Sequence, residues 1–407
     1  MSEAPRFGVL THALHRPDHD AAMQLAADIA LAEHVDRLGF DEMWWTERHS
    51  GGWQIIADPL LMAAHAAART QRVRLGAVVD PVRRHPANLV DGAAQLDHLT
   101  RGRFVLGLGA DVIAADAAAI GLSPQDAEHT IEETVTAVAA LLRGTRSLSV
   151  TPKHAPWMLR DHTPHLLPQG RLDARVVSFG PSAAPELAGR SSLGLVSAGA
   201  TEVVGLGRED PMAQTWQRAE TAARAAGRSW PRGRIAVTVP IHLADTEIEA
   251  RRQVRHGIVR WAEYARTSMP VAVPAGSDAD TLVDGLHDAG RAVVGTAAMA
   301  VAHLERVLDH SLGVHSVRVE LVGWAGAADT HVSLERFARE VVPHLTGAAR
   351  TRLAAAAAEP PGARRVGRRA AGPLPVHGPA PTPVRGVTRV HVEQPTRSRG
   401  RHAVDED

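Results

Sequence analysis

The sequence predicts a (β/α)8 TIM barrel with insertions, followed by a disordered C-terminal tail. Three observations predict it. Short, almost continuously apolar strands alternate with amphipathic helices from about residue 6 to residue 346, eight such strands can be counted, and polar clusters follow nearly every strand. An open doubly wound sheet is the rival architecture, but it would gather its ligand groups at one switch point.

The units can be read in chain order. Arg6–Thr11 forms the first strand, and Asp20–Leu38 carries apolar residues at helical spacing, closed by Gly39. Glu42–Thr46 forms the second strand. It opens into the polar loop Glu47-Arg48-His49-Ser50-Gly51-Gly52-Trp53, ahead of a helix over 59–69. A strand over 72–79 precedes a helix over 87–99, and a strand over 103–109 precedes a helix over 126–142. The Pro- and His-rich stretch 144–171 reads as an excursion over the barrel mouth. Strands follow at 175–179, 194–197, 234–243 and 316–322, with a short edge-like segment at 293–296. Between them come helices over 184–191, 212–226, 247–264, 282–290 and 298–310, and a last helix over 333–345. Residues 1–347 are thus the barrel and 348–407 the tail.

Composition removes several functions. The 407 residues include no Cys, so disulfides, thiolate metal sites and a Cys nucleophile are excluded. No apolar run approaches the roughly 20 residues that span a bilayer, and the N-terminus lacks a secretory pattern, so a cytoplasmic protein without membrane contact is expected. Lys153, the single lysine, sits in a Pro-rich loop with no glycine cradle. The neutral net charge conceals an asymmetry: from Ala348 onward there are 11 Arg against 5 acids, leaving 34 basic and 40 acidic residues before it. An Arg/Pro/Gly-rich tail has too little apolar surface to offset its ordering entropy, and a solvated extension without a nucleic-acid partner is expected.

The 23 histidines were tested for metal-ligand spacing. No helical His-x-x-x-His stands beside a Glu and no strand ends in His-x-His, so no metal is expected. Acid–base or substrate contact is the better use of His49, with Glu47 beside it, while His12 and His15 follow the first strand towards the same mouth. Gly107-Leu108-Gly109 lacks the third glycine of a dinucleotide loop, although two glycines at a strand end let a flat ligand approach the backbone. Ser178 and Ser182, between the fifth strand and its helix, and Gly295-Thr296, before another, are candidate anion sites.

The combination Leu38-Gly39-Phe40-Asp41-Glu42, Glu47-Arg48-His49-Ser50-Gly51-Gly52-Trp53, Arg69-Thr70-Gln71-Arg72-Val73-Arg74-Leu75-Gly76, Leu96-Asp97-His98-Leu99-Thr100-Arg101-Gly102-Arg103 and Leu106-Gly107-Leu108-Gly109 resembles the bacterial luciferase-like flavin monooxygenases, the limonene-monooxygenase-like branch in particular. The resemblance implies a barrel that binds reduced FMN from a separate flavin reductase and uses O2 to oxygenate a small-molecule substrate. A relative of the fold uses the deazaflavin F420 for hydride transfer. It also implies a homo- or heterodimer, with a catalytically silent partner subunit as a further alternative. On this reading Ala77, Gly107, Gly109 and Ala110 would lie under the ring, Ser178 and Ser182 would hold its phosphate, and His12, His15, Trp53 and Trp324 would wall the substrate pocket. The sequence departs from the family pattern where Arg48 replaces a histidine, where Val78 replaces a glycine, and where Ala110-Asp111 brings a carboxylate towards an anionic flavin.

Overall fold

The computed structural model describes residues 5–347 apart from 145–146, 165, 181, 198–210, 231, 270, 311–313 and 315. The tail, 348–407, lies outside the described residues, as does the loop residue Pro181.

Eight parallel strands close on themselves. These are β1 (Arg6–Thr11), β2 (Glu42–Thr46), β3 (Arg74–Val79), β4 (Phe104–Gly109), β7 (Asp173–Ser178), β8 (Gly194–Ser197), β9 (Ile235–Leu243) and β11 (Ser316–Leu321). Pairing of β8 with β9 and of β11 with β1 completes the ring, which excludes the open sheet. β10 (Val293–Gly295) pairs only with the C-terminal end of β9, in keeping with the edge-like reading of 293–296. The excursion carries an antiparallel hairpin, β5 (Leu148–Val150) and β6 (Leu159–His162). Its Trp157 donates its indole N–H to Thr134 at 2.9 Å on the helix Pro124–Leu142.

The helices begin and end for local reasons. Asp20 accepts from the Met23 amide to cap the helix Ala21–Leu38, and Gly39 ends it with φ of 82°, a left-handed conformation that glycine adopts without steric cost. Asp58 caps Pro59–Ala67, with Pro in the first turn, where its missing N–H costs nothing. The sequence places the last helix late: it starts at Ala327 rather than near 333 and passes through a π-turn at Phe337–Val341.

Strand alternation divides the core in two. Outward-facing Leu75, Ala77, Val79, Leu106 and Leu108 pack under the helices, while Leu10, Trp44, Val78, Val105, Val177, Val196 and Ala236 fill the barrel. The registered pairs Trp44–Gly76, Val78–Gly107 and Gly109–Val177 carry that inward phase from strand to strand. Gly76 is required beside Trp44, because a Cβ there would lie 2.0 Å from the indole.

The lower barrel is ionic. Glu42, fully buried, accepts from Arg175 at 2.9 Å, Arg74 at 3.0 Å, the Trp44 indole at 3.0 Å, and Arg318. Asp173 bridges Arg74 and Arg175 at 2.8 and 2.6 Å, and the Arg318 guanidinium lies 4.7 Å from the centre of the Trp44 ring. Burial opposes the Glu42 charge, but the three arginines prevail and hold its carboxyl well below the usual carboxylate range.

Candidate active site

The C-terminal ends of the strands surround a cleft of about 60 Å³, set in about 660 Å³ of empty space that includes the part open to solvent. Continuing the inward phase of each strand into its loop identifies what faces it. β1 gives His12; β2 gives Thr46 and Arg48; β3 gives Val78 and Asp80; β4 gives Gly109 and Asp111; β7 gives Val177 and Phe179. Val82, Val112, Ile113 and Ile131 add apolar walls. This is the face on which a (β/α)8 barrel keeps its chemistry.

Arg48 is buried, and its Nε and Nη1 have no hydrogen-bond partner among the described residues. A buried guanidinium with unused donors is costly, and it offers N–H groups to an anion or carbonyl entering the cleft. Opposite it, Asp111 accepts from the Ser178 hydroxyl at 2.7 Å and from the Phe179 amide. Burial pushes the Asp111 carboxyl up to about 6, and these hydrogen bonds and Arg48 only partly counter it.

The expected site residues divide by phase. Gly109 lines the cleft, and Gly107 lies just below it, where an added Cβ would come within 3.0 Å of both Trp44 and Val78. Ala77 faces the helices, so the inner position above Gly76 belongs to Val78. Ala110, held by its amide to the Val177 carbonyl at 2.8 Å, also packs against the outer core. Ser178 and Ser182 share a contact of 2.9 Å, but Asp111 takes the Ser178 proton and Ser182 accepts from the Ala184 amide at 3.2 Å, which leaves neither hydroxyl free. Thr296, the other anion candidate, accepts from the Met299 amide at 3.4 Å as a helix cap.

Glu47 and His49 meet at the rim, Oε1 to Nε2 at 2.8 Å, and Glu47 also lines the cleft beside Arg48. Arg84 holds the other Glu47 oxygen at 2.8 Å, yet burial outweighs both partners and raises the Glu47 pKa. His12 lies at the cleft floor between Glu320 at 2.8 Å and Thr46 at 3.2 Å, with Phe179 edge-on at 4.8 Å between ring centres. His15 is turned away to Asp28 at 2.8 Å. Trp53 lies 6.0 Å from the Tyr264 ring in the loop beside the mouth, and Trp324 is buried against Trp261 in a separate apolar cluster. Neither tryptophan lines the cleft. Among the described residues one group has metal-ligand geometry, Asp126, His129 and His154 within 4.8 Å, and it also lies outside the cleft.

Arg48, Asp80 and Asp111 are the residues that sequence reasoning left out as ligand groups. The available signal was period two: counting in twos from Trp44, Gly76 and Gly107 reaches Arg48, Asp80 and Asp111.

Fold and cleft define an enzyme of the (β/α)8-barrel class with its site at the strand C-termini, and comparison with known proteins makes this specific. The family model for luciferase-like monooxygenases matches residues 5–316. The chain belongs to that family, whose members here are monooxygenases and related oxidoreductases. It is 36% identical to limonene 1,2-monooxygenase of Rhodococcus erythropolis over 342 residues, covering 84% of this chain and 87% of that protein. The oxygenating constituent of 3,6-diketocamphane monooxygenase from Pseudomonas putida, a type II Baeyer–Villiger monooxygenase solved in complex with FMN, superposes with a TM-score of 0.66 at 23% identity, covering 84% of this chain and 99% of that one. An F420-dependent secondary alcohol dehydrogenase, solved with an F420–acetone adduct, shares the fold at a TM-score of 0.61 and 16% identity, covering 84% and 99%. No helix among the described residues is long and apolar enough to cross a membrane.

Proposed function

We propose that the chain is a flavin-dependent monooxygenase that takes reduced FMN from a separate reductase and, with O2, oxygenates a small apolar organic substrate in the cleft at the barrel mouth. The observation that carries this reading is Arg48, buried with two unused N–H donors above the glycines of β4. Reduced flavin is anionic and flat, and this cleft offers a cation and a wall without a side chain at Gly109. The flavin, when bound, supplies the activation of O2. The chain does the rest. Arg48 would hold the anionic flavin through its unused N–H groups, and Val78, Val112, Ile113, Ile131 and Phe179 would keep water from it. Asp111, with its raised pKa, retains a proton through the weakly acidic range and so lessens its repulsion of the ring. His49, partly exposed at the rim, exchanges protons between solvent and the buried Glu47, and His12 fixes the floor.

The name of the Pseudomonas relative as an oxygenating constituent supports a separate reductase, and the F420 enzyme on the same fold keeps hydride transfer as the second reading. Equilibrium binding of photoreduced FMN and of reduced F420 to the purified chain decides between them. Saturable binding of reduced FMN, weakened about 10- to 100-fold in Arg48→Ala, is the expected result, since a hydrogen bond to a charged group contributes about 1.5–3 kcal/mol. Binding of F420 alone would move the chemistry to hydride transfer. Binding of neither would make the chain a silent partner subunit.

A further inference from the structure

At the opposite end of the barrel a second cavity, of about 570 Å³, opens among the N-terminal ends of β7, β8 and β9 and the C-terminal ends of the helices Pro124–Leu142 and Ala184–Ser191. Its volume is in the range of small-molecule sites. Six arginines line it, Arg6, Arg143, Arg171, Arg175, Arg228 and Arg234, and among the described residues its single carboxylate is Asp173. That carboxylate is already taken by Arg74 and Arg175. Arg143, Arg171, Arg228 and Arg234 make no ion pair among the described residues. Where they are held, they are held by neutral groups: Arg143 by the Ser191 carbonyl at 3.3 Å, Arg228 by the Arg190 carbonyl, and Arg234 by the Ser192 carbonyl at 2.5 Å.

Three of these contacts cap the end of one helix, whose macrodipole amounts to only about half a negative charge. Capping therefore accounts for the position of the guanidinium groups, and with Asp173 acting on Arg234 it offsets part of their charge, while Arg143 and Arg171 remain exposed to solvent and to an incoming anion. Burial is the main influence holding both Arg143 and Arg234 below the ordinary arginine value, and in each case a neighbouring guanidinium adds to it, Arg228 for the first and Arg171 for the second. Cations crowded in a half-buried cavity are stable when an anion of matching charge sits among them, and guanidinium forks match phosphate oxygens.

We propose that this cavity is a second ligand site, remote from the mouth, that binds a multivalent phosphate group, a pyrophosphate or the diphosphate of a nucleotide, through Arg143, Arg171, Arg228 and Arg234. One orthophosphate would engage two of these groups, and a diphosphate spans more of them.

The test is titration of the full chain with sodium pyrophosphate, ADP, orthophosphate and sulfate at equal ionic strength, read by calorimetry and by thermal melting. Saturable binding of pyrophosphate or ADP at least tenfold tighter than sulfate or orthophosphate is expected, with an upward melting shift. ADP tighter than pyrophosphate assigns the ligand as a nucleotide; the reverse assigns free polyphosphate. Arg143→Gln with Arg228→Gln should weaken binding at least tenfold, and Arg171→Gln, whose exposed side chain caps nothing, should weaken it several-fold without lowering the melting temperature of the ligand-free chain. Reduced FMN binding should be unchanged in all of them. Equal response to every anion, undiminished binding in the variants, or competition between pyrophosphate and FMN would overturn the proposal.

Discussion

The Arg318 guanidinium donates to the Glu42 carboxylate inside the barrel, where both side chains are fully buried and the Trp44 ring lies against the cation. Removing one partner leaves the other charged in a dry interior. Glu42→Gln should therefore destabilise the fold by about 3–5 kcal/mol, because it leaves the buried Arg318 without its carboxylate, and Arg318→Met should cost less, because Glu42 keeps Arg175 and Arg74. Urea unfolding of the two variants and the double variant tests this. The double variant should be more stable than the sum of the single losses implies.

The same network fixes behaviour in acid. Glu42 and Asp173 both have folded pKa values held well below the unfolded ones, Glu42 by Arg175, Arg318 and Arg74 and Asp173 by Arg175 and Arg74, in each case against the opposing effect of burial. A depressed carboxylate pKa gives stability that is fully present above the unfolded value, roughly 4, and is lost as pH falls towards the folded one. Melting temperature should drop steeply below about pH 4, and Glu42→Gln should flatten that drop.

Asp111 works in the reverse sense. Its carboxyl is raised to about 6 by burial, so the folded state holds the proton more tightly than the unfolded chain, and stability falls as pH rises from about 4 to 6. The cost above pH 6 is on the order of 2–3 kcal/mol. Asp111→Asn should match the parent near pH 4 and melt higher at pH 7.5. An equal melting difference at both pH values would show that the carboxylate is not strained by burial.

The barrel was legible because parallel strands buried on both faces are continuously apolar and each was followed by a helical pattern, so alternation of elements alone carried the eight-strand count. Closure followed from polar loops after nearly every strand. The site was legible only in outline. Glu47 and His49 are the chemically attractive pair in the loop, but the pleat that puts Trp44 inside also puts Arg48 inside. Ala77 was displaced by one position for the same reason, Val78 being the inner residue. Nothing in the sequence ties the serines to Asp111, which lies 67 residues away from Ser178 in sequence and 2.7 Å away in space. The ionic lower barrel left a sequence trace in Glu42, Arg175 and Arg318, charges set at inward positions within apolar strands, but their convergence depends on closing the sheet.

The glycine floor predicts a separation of stability from binding. A methyl at Gly107 would lie 3.0 Å from Trp44 and Val78, contacts that can yield by a few tenths of an ångström, so Gly107→Ala should cost about 1–3 kcal/mol. At Gly109 the nearest atom to an added Cβ is the Val79 carbonyl oxygen at 3.2 Å, with the cleft above it. Gly109→Val should weaken reduced FMN binding at least tenfold while melting within a few degrees of the parent. Retained affinity would place the ring elsewhere in the cleft.

The rim pair separates binding from turnover. His49 touches Glu47, which Arg84 holds from the other side, and neither His49 nor Arg84 lines the cleft. Replacing the imidazole should therefore leave the flavin affinity intact and act on proton movement. With a general acid or base contributing roughly 10²–10⁴-fold, His49→Gln should lower kcat within or somewhat below that range, with reduced FMN affinity changed less than threefold. Glu47→Gln should shift the pH profile of kcat by removing the group whose pKa burial has raised. Stopped-flow binding of reduced FMN beside steady-state turnover, once a substrate is in hand, measures both quantities on the same variants. A His49→Gln enzyme that loses flavin affinity and keeps its turnover would exchange the roles assigned to His49 and Arg48.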